Sequence, residues 1–391
     1  MTAPSAAVGR TIAASALSTV LGSLPVFLLG GLAVLVREEL RFGEVQLGLA
    51  VSVFFSVAAL SAVPAGRLVV RLGAWWSTVA GACTSAGALL LLAVAPAYPV
   101  LIGALALAGA ANALAQIGSN EALARVVPAR RQGLAFGVKQ SAVPAATLLA
   151  GLSLPFLGLT LGWRSAFAGG AVLALGYVAL APRGEQSRPR PPVPGPARRE
   201  PARGPLVVVA LAAALGAGAA GGLGAFLVVS AVSTGLSPAQ AGLLLAGGSA
   251  LSVVVRLTVG WRADGRDGGH LDVVVAMLAC GALGMGLLAT GSSALLLPGT
   301  VLAFALGWGW PGLLNLAVVR LHPSAPAAAT SVSQAGVFAG GALGPVTFGL
   351  VVELSSYRGA WSVAGVALLL AAVLMRQGRR VLEPERSGAP G

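Results

Sequence analysis

Of the 25 basic residues in this chain, Lys139 is the only lysine, and it stands in an apolar stretch about 12 Å of helical rise beyond Arg131. An ammonium at such depth in a bilayer costs several kcal/mol unless it faces a wet cavity or a partner. Its chemistry would be to anchor an anion or to accept a proton. Two structural roles compete: four methylenes can carry the charge back to the membrane surface, or Glu121 can pair with it. Asn112, Gln116, Ser119 and Asn120 fall within an arc of about 100° on a helix otherwise built of Ala, Leu and Gly, so three amides share one face. Such a face suits a polar passage, with interhelical hydrogen bonding as the alternative. Ser15, Thr19 and Ser23 form a second stripe at i, i+4, i+8, where bonding between helices is the better reading for such small hydroxyls. Gln140 and Gln334 follow Lys139 and Ser333 and would bracket a solute from two sides. Arg256 lies one turn before Gly260, where a long side chain reaches the surface by snorkelling. Glu121 and Glu353, near the ends of apolar stretches, are the candidates to couple a proton.

Catalysis finds little to work with. His270 and His322 lack Cys or carboxylate companions at metal-ligand spacing, and Cys83 and Cys280 offer no disulfide framework. Gly216, Gly218 and Gly221 match G-x-G-x-x-G letter for letter, yet they lie inside an apolar run with no acid about 20 residues on. They read as helix-packing glycines. No metal, no cofactor and no enzyme activity is expected.

The elements that must position these residues follow from composition. With 57% hydrophobic and 9% charged residues, a solvated surface cannot be built, since soluble domains carry about 25% charged residues. Apolar stretches fall at 11–36, 45–64, 76–95, 99–120, 132–154 and 162–181, then at 206–229, 239–259, 272–290, 295–319, 328–352 and 359–375. Each is long enough to cross about 30 Å of hydrocarbon. All are expected to be helices, because lipid cannot satisfy an open backbone. Nineteen of the basic residues fall on one set of alternate loops and termini, and only Arg37, Arg41, Arg164 and Arg358 fall on the other. The net charge of +13 is therefore a positive-inside signal rather than a nucleic-acid footprint, and it puts both termini in the cytoplasm. Residues 182–205, rich in Pro and Arg, read as a solvated linker between halves at 1–181 and 206–376, with a tail at 377–391.

The halves repeat one another. Gln46, Gly48, Gly66, Val138, Gln140 and Arg164 answer to Gln240, Gly242, Gly260, Val332, Gln334 and Arg358 at a constant offset of 194. Asn120, Arg125 and Pro128 meet Asn315, Arg320 and Pro323 at 195. A parallel six-helix repeat builds two bundles around a central site.

Gly66 to Gly73 resembles the G-x-L-x-D-R-x-G signature of the major facilitator superfamily, and Gly260-Trp-Arg-Ala-Asp264-Gly is its second copy. The resemblance covers residues 10 to 376 and implies an all-α polytopic membrane protein of twelve transmembrane helices in two pseudo-symmetric bundles. It further implies a secondary transporter working by alternating access in the plasma membrane as a monomer, its pore lined by helices 1, 4, 7 and 10. The first copy has Val70 where the family has Asp, so the gating role carries to Asp264, Gly66, Arg71 and Gly260 and not to Val70. A small organic anion is the preferred solute because the deep charge is positive. Export of an amphipathic compound is the rival, and a membrane sensor or enzyme on the same scaffold is the alternative outside transport. Gly336, Gly340, Gly344 and Pro345 resemble an antiporter pattern displaced to helix 11, and read as close packing or a hinge.

Reporter fusions at residue 391 and within 182–205 should both report the cytoplasmic face, and one at residue 96 the opposite face. Chain ends on opposite faces of the membrane would refute the topology.

Overall fold

The computed structural model describes residues 3–128, 131–181, 203–265, 268–322 and 326–382, so most of the expected linker lies outside the described residues. Twelve helices among them are long and apolar enough to cross a membrane. In chain order they are α1 (Ala7–Gly31), α2 (Glu44–Leu72), α3 (Ala74–Ala93), α4 (Tyr98–Val126), α5 (Gly133–Leu161) and α6 (Trp163–Leu180). The second set is α7 (Gly204–Ser233), α8 (Pro238–Ala263), α9 (His270–Ala289), α10 (Ser293–Leu321), α11 (Ala329–Leu354) and α12 (Tyr357–Leu382). No strand occurs among the described residues.

The stretch expected to cross at 11–36 is divided. Its helix ends at Gly31, Leu32 departs from helical geometry, and a separate two-turn helix follows at Ala33–Leu40. Several spans overrun their apolar runs: α2 continues to Leu72 and α4 to Val126, adding polar turns beyond the hydrocarbon core.

Interior prolines set a local problem. Each lacks the N–H that would serve the carbonyl four residues back, and hydrocarbon supplies no water to replace it. Pro25 frees the Leu21 carbonyl, and Ser85 Oγ of α3 donates to it at 2.7 Å. Pro311 frees the Gly307 carbonyl, and the Trp310 indole N–H fills it at 3.0 Å. A carbonyl opened in one helix thus recruits a neutral donor from nearby.

The repeat expected from sequence is visible in atomic detail. Gln46 and Gln240 do the same work: each Oε1 accepts the N–H of the residue preceding its helix, Gly43 at 2.7 Å and Ser237 at 3.0 Å. Arg41 and Gly235, related by the same offset of 194 residues, both take up positive φ, at 52° and 101°. In the first bundle α1 packs on α4, α5 and α6, and α3 on α4 and α6. In the second, α7 packs on α11 and α12, and α9 on α10 and α12. The bundles meet where α2 lies against α11 and α5 against α8, two interfaces exchanged by the pseudo-twofold, with α1 touching α7 between them.

Glycine permits these approaches. A Cβ at Gly30 would collide with the Gly224 carbonyl, one at Gly48 with that of Pro345, and one at Gly349 with that of Glu44. Gly151 sits equally close to Gly242 and Ala246 across the α5–α8 contact. Gly336, Gly340 and Gly344 lie on Ala210, Ala214 and Gly218 of α7, so of the two readings for this glycine face, close packing is the one observed. Gly216 and Gly221 pack on Trp310 and Pro345, consistent with helix packing rather than a nucleotide loop.

The basic end of the molecule is the one where α1 begins and α12 finishes. At the opposite end Glu39 pairs with Arg164 and accepts the Trp163 indole N–H at 2.6 Å. The hydrogen bond from Arg164 holds the Glu39 carboxyl below its ordinary value, with the Trp163 bond adding to the effect. Arg164 also donates to the Ala95 carbonyl at 3.0 Å, tying the α1–α2 connection to the α3–α4 loop.

A left-handed backbone costs a non-glycine residue about 1–2 kcal/mol. Gly235→Ala should therefore lower stability by about 1 kcal/mol, while Arg41→Gly should be neutral or stabilising by up to about 1 kcal/mol. Thermal midpoints of the detergent-solubilised protein measure both, and an unchanged Gly235→Ala midpoint would refute the strain argument.

Candidate functional site

Lys139 closes the first segment of α5, a nine-residue helix Gln132–Gln140 that breaks at Ser141. Its side chain is 1% exposed, and Nζ donates to Oε1 of Gln116 on α4. It neither snorkels to the surface nor pairs with Glu121, which instead bonds Arg125 at 2.8 Å one turn along its own helix. Among the described residues no carboxylate lies within ion-pairing distance of Lys139.

The amide face of α4 meets the hydroxyl stripe of α1. Ser23 Oγ donates to Asn112 Oδ1 at 3.3 Å, and Ser119 Oγ lies 3.2 Å from the Ser15 carbonyl and 2.5 Å from that of Ala115. Thr19 Oγ1 donates to the Ser15 carbonyl at 2.9 Å. Asn112, Ser15, Thr19 and Ser23 are all buried, so this upper part of the stripe joins helices, while Gln116 alone reaches Lys139. Asn120 is exposed toward the basic end.

Arg256 overturns its expected reading. Rather than reaching the surface, it is 6% exposed, and its guanidinium bridges the halves. Nη1 donates to the Gln140 carbonyl of α5 at 2.8 Å and Nη2 to the Trp308 carbonyl of α10 at 2.5 Å. The reason lies in the backbone. Pro144 cannot donate to Gln140, and Trp308 sits where a wide helical turn over Ala303–Gly307 gives way to an irregular break before Pro311. Both carbonyls are thus exposed to whatever donor is near. Nε of Arg256 is buried with no partner. Sequence reasoning missed this residue as a site. The signal was present: a proline four residues after Gln140 opens a carbonyl that lipid cannot satisfy.

The remaining expected residues scatter. Gln140 offers its backbone to Arg256 and its side chain is half-buried, as is that of Gln334 on α11. Gly66 and Gly260 have no atom within 4 Å of where a Cβ would stand, and Arg71 and Val70 are exposed. Asp264 ends its helix, and its side chain lies outside the described residues. Glu353 is not in the interior. Its Oε1 accepts the Val45 N–H at 2.9 Å, at the positive start of α2. Beside it the Tyr357 hydroxyl donates to Glu44 Oε1 at 2.6 Å, and Arg37 pairs with Glu44. The Glu353 and Tyr357 bonds cross between the halves at the end opposite the basic one.

Removing the acceptor of a buried ammonium should be expensive. Gln116→Leu should cost about 2–3 kcal/mol, and adding Lys139→Met should recover most of it. A thermal-melt double-mutant cycle reads this, and a neutral Gln116→Leu would refute the pairing.

The family model described as Major Facilitator Superfamily matches the chain over residues 15–261 and 209–391. No curated protein matches it by sequence. Solved structures similar in fold include two of a bacterial homologue of the human lysosomal transporter Spinster in an inward-facing conformation. The occupied form has 18% identity and a TM-score of 0.75, over 94% of this chain and 96% of that one. The unoccupied form has 16% identity and a TM-score of 0.73, over 98% and 99%. Since the sequence match runs through both bundles and the fold agrees along nearly the whole length, the chain belongs to the Major Facilitator Superfamily of membrane transporters.

Proposed function

We propose that the chain is a secondary active transporter that moves a small organic anion by alternating access, with Lys139 as its anchor. One observation carries this reading: a buried ammonium whose partner is the neutral amide of Gln116. A charge left unneutralised at that depth is costly unless a solute uses it. The rival, export of an amphipathic compound, gives the Lys139 charge no counterpart.

In this reading the halves 1–181 and 206–376 rock about the site, with Gln116, Gln140 and Gln334 around the solute, Asn120 at its mouth, and Asn112 offering the solute only its amide N–H while its oxygen holds Ser23. The basic end faces the cytoplasm and the membrane is the plasma membrane. Contacts at the far end support an inward-open state: Gly30 on Gly224, Gly48 on Pro345, and Glu353 on the Val45 N–H close that side. The solved Spinster homologues bear the same conformational description in their names. Asp264, Gly66, Arg71 and Gly260 would then act when the basic end closes. Proton coupling, where it operates, falls to Glu121 or Glu353, and protonating Glu353 would release its hold on the start of α2.

Counterflow of candidate carboxylates in proteoliposomes, with and without a pH gradient, is the test. Lys139→Gln should reduce kcat/KM at least about tenfold, or roughly 1.4 kcal/mol. A Lys139→Gln protein with unchanged affinity and pH dependence would assign the lysine to packing.

A further inference from the structure

At the end opposite the basic one, the two halves treat a shared arginine differently. In the first half Arg164 pairs with Glu39, donates to the Ala95 carbonyl and lies 4.2 Å over the Trp163 ring. At the offset of 194 its counterpart is Arg358, and Glu39 becomes Ser233. Glu39 and Ser233 each stand two residues before a left-handed backbone, at Arg41 and Gly235, so the exchange falls in matching local geometry. Among the described residues the Arg358 side chain makes no hydrogen bond and no ion pair.

Where the carboxylate is missing there is a cavity. It measures about 220 Å³ and lies between the end of α7, the α9–α10 turn and the start of α12. Ser230, Ser233, Gly291, Ser356 and Arg358 line it, and none of its lining residues is acidic. The Arg358 guanidinium lies over Gly291, where φ is 66° and a Cβ would collide with Nε. Ser230 Oγ accepts the Trp361 indole N–H at 2.9 Å, and Ser356 Oγ accepts the Gly359 N–H at 3.3 Å. Each of these hydroxyls therefore keeps its own proton to give, beside the five N–H donors of the guanidinium. The start of α12 adds the positive end of its dipole.

We propose that this cavity binds a phosphate group, free or as a lipid headgroup, whose oxygens take the place that the Glu39 carboxylate holds in the first half. Two of its oxygens suit the fork of Arg358, and a phosphate, unlike a carboxylate, has further oxygens for the Ser230 and Ser356 hydroxyls. The lining residues stand where α7 ends and α12 begins, at the depth of lipid headgroups. Bound there, the anion ties the start of α12 to the end of α7 and the α9–α10 turn, as Arg164 with Glu39 and Ala95 ties α6 to the loops of the first half. The site belongs to the second half alone and is separate from Lys139 on α5.

The test follows the thermal midpoint of protein delipidated in neutral detergent and shown to be folded by gel filtration. At fixed ionic strength, inorganic phosphate and short-chain phosphatidylglycerol are each compared with chloride. At least one of them should raise the midpoint by about 2 °C or more. A shift with phosphatidylglycerol alone supports a lipid site, and a shift with inorganic phosphate supports a site for the free anion. Arg358→Gln should abolish the shift. Ser233→Glu, which rebuilds the ion pair of the first half, should abolish it too, because its carboxylate fills the place of the ligand. Both side chains are exposed, so neither variant opens the core. No shift with either compound, or a shift that persists in either variant, overturns the site.

Discussion

A backbone carbonyl in hydrocarbon must find a donor within the protein, and this chain places prolines inside its membrane helices. Much of its polar architecture answers that demand. Ser85 is drawn to Leu21 and binds α3 to α1, and Trp310 folds back on Gly307 to finish a broken α10. Arg256 reaches across the molecule to Gln140. A break that begins as a missing N–H on Pro144 ends as a bond between the two halves. Local chain chemistry thereby decides where the halves are tied together.

The pseudo-twofold makes the placement of charge informative. It exchanges the α5–α8 interface with the α2–α11 interface, so symmetric chemistry would appear twice. It does not. By the offset of 194, Lys139 corresponds to Ser333 and Arg256 to Ala62, so the cations occupy one interface alone. Glu44 and Glu353 belong to the other interface, and their counterparts Pro238 and Leu159 carry no charge. The scaffold is duplicated while the charges are not. Packing needs therefore explain the shared Gln46 and Gln240 caps and the left-handed Arg41 and Gly235, but not the cations.

The architecture was legible because membrane helices obey a coarse rule. Continuous apolar length marks each span, and register identities such as Gln46 with Gln240 reflect caps that any such helix start requires. Lys139 was legible as a residue out of place, and its link to the amide face of α4 followed from helical spacing. Its actual partner was not legible, since Gln116, Asn112 and Glu121 all lay within reach and only packing chose among them. Arg256 was misread because proximity to a helix end argues for snorkelling on composition alone. Recognising it required knowing which carbonyl Pro144 leaves open and which helix stands opposite. The break at Leu32 was hidden for a similar reason: no proline marks it, and the close approaches of Gly30 to Gly224 and Gly31 to Ala150 fix the end of α1 from outside.

The seal between the halves is suited to being undone. Glycine-on-carbonyl contacts at Gly30, Gly48 and Gly349 gain dispersion energy that vanishes within an ångström or so of separation. Glu353 on the start of α2 and Tyr357 on Glu44 are hydrogen bonds at a solvated end, where water replaces them at small net cost. Arg256 on Gln140 is different, because parting it in a dry interior strands a guanidinium and a carbonyl together. The halves can therefore open at the far end with little resistance, whereas separation at the Arg256 level needs a replacement acceptor to arrive first.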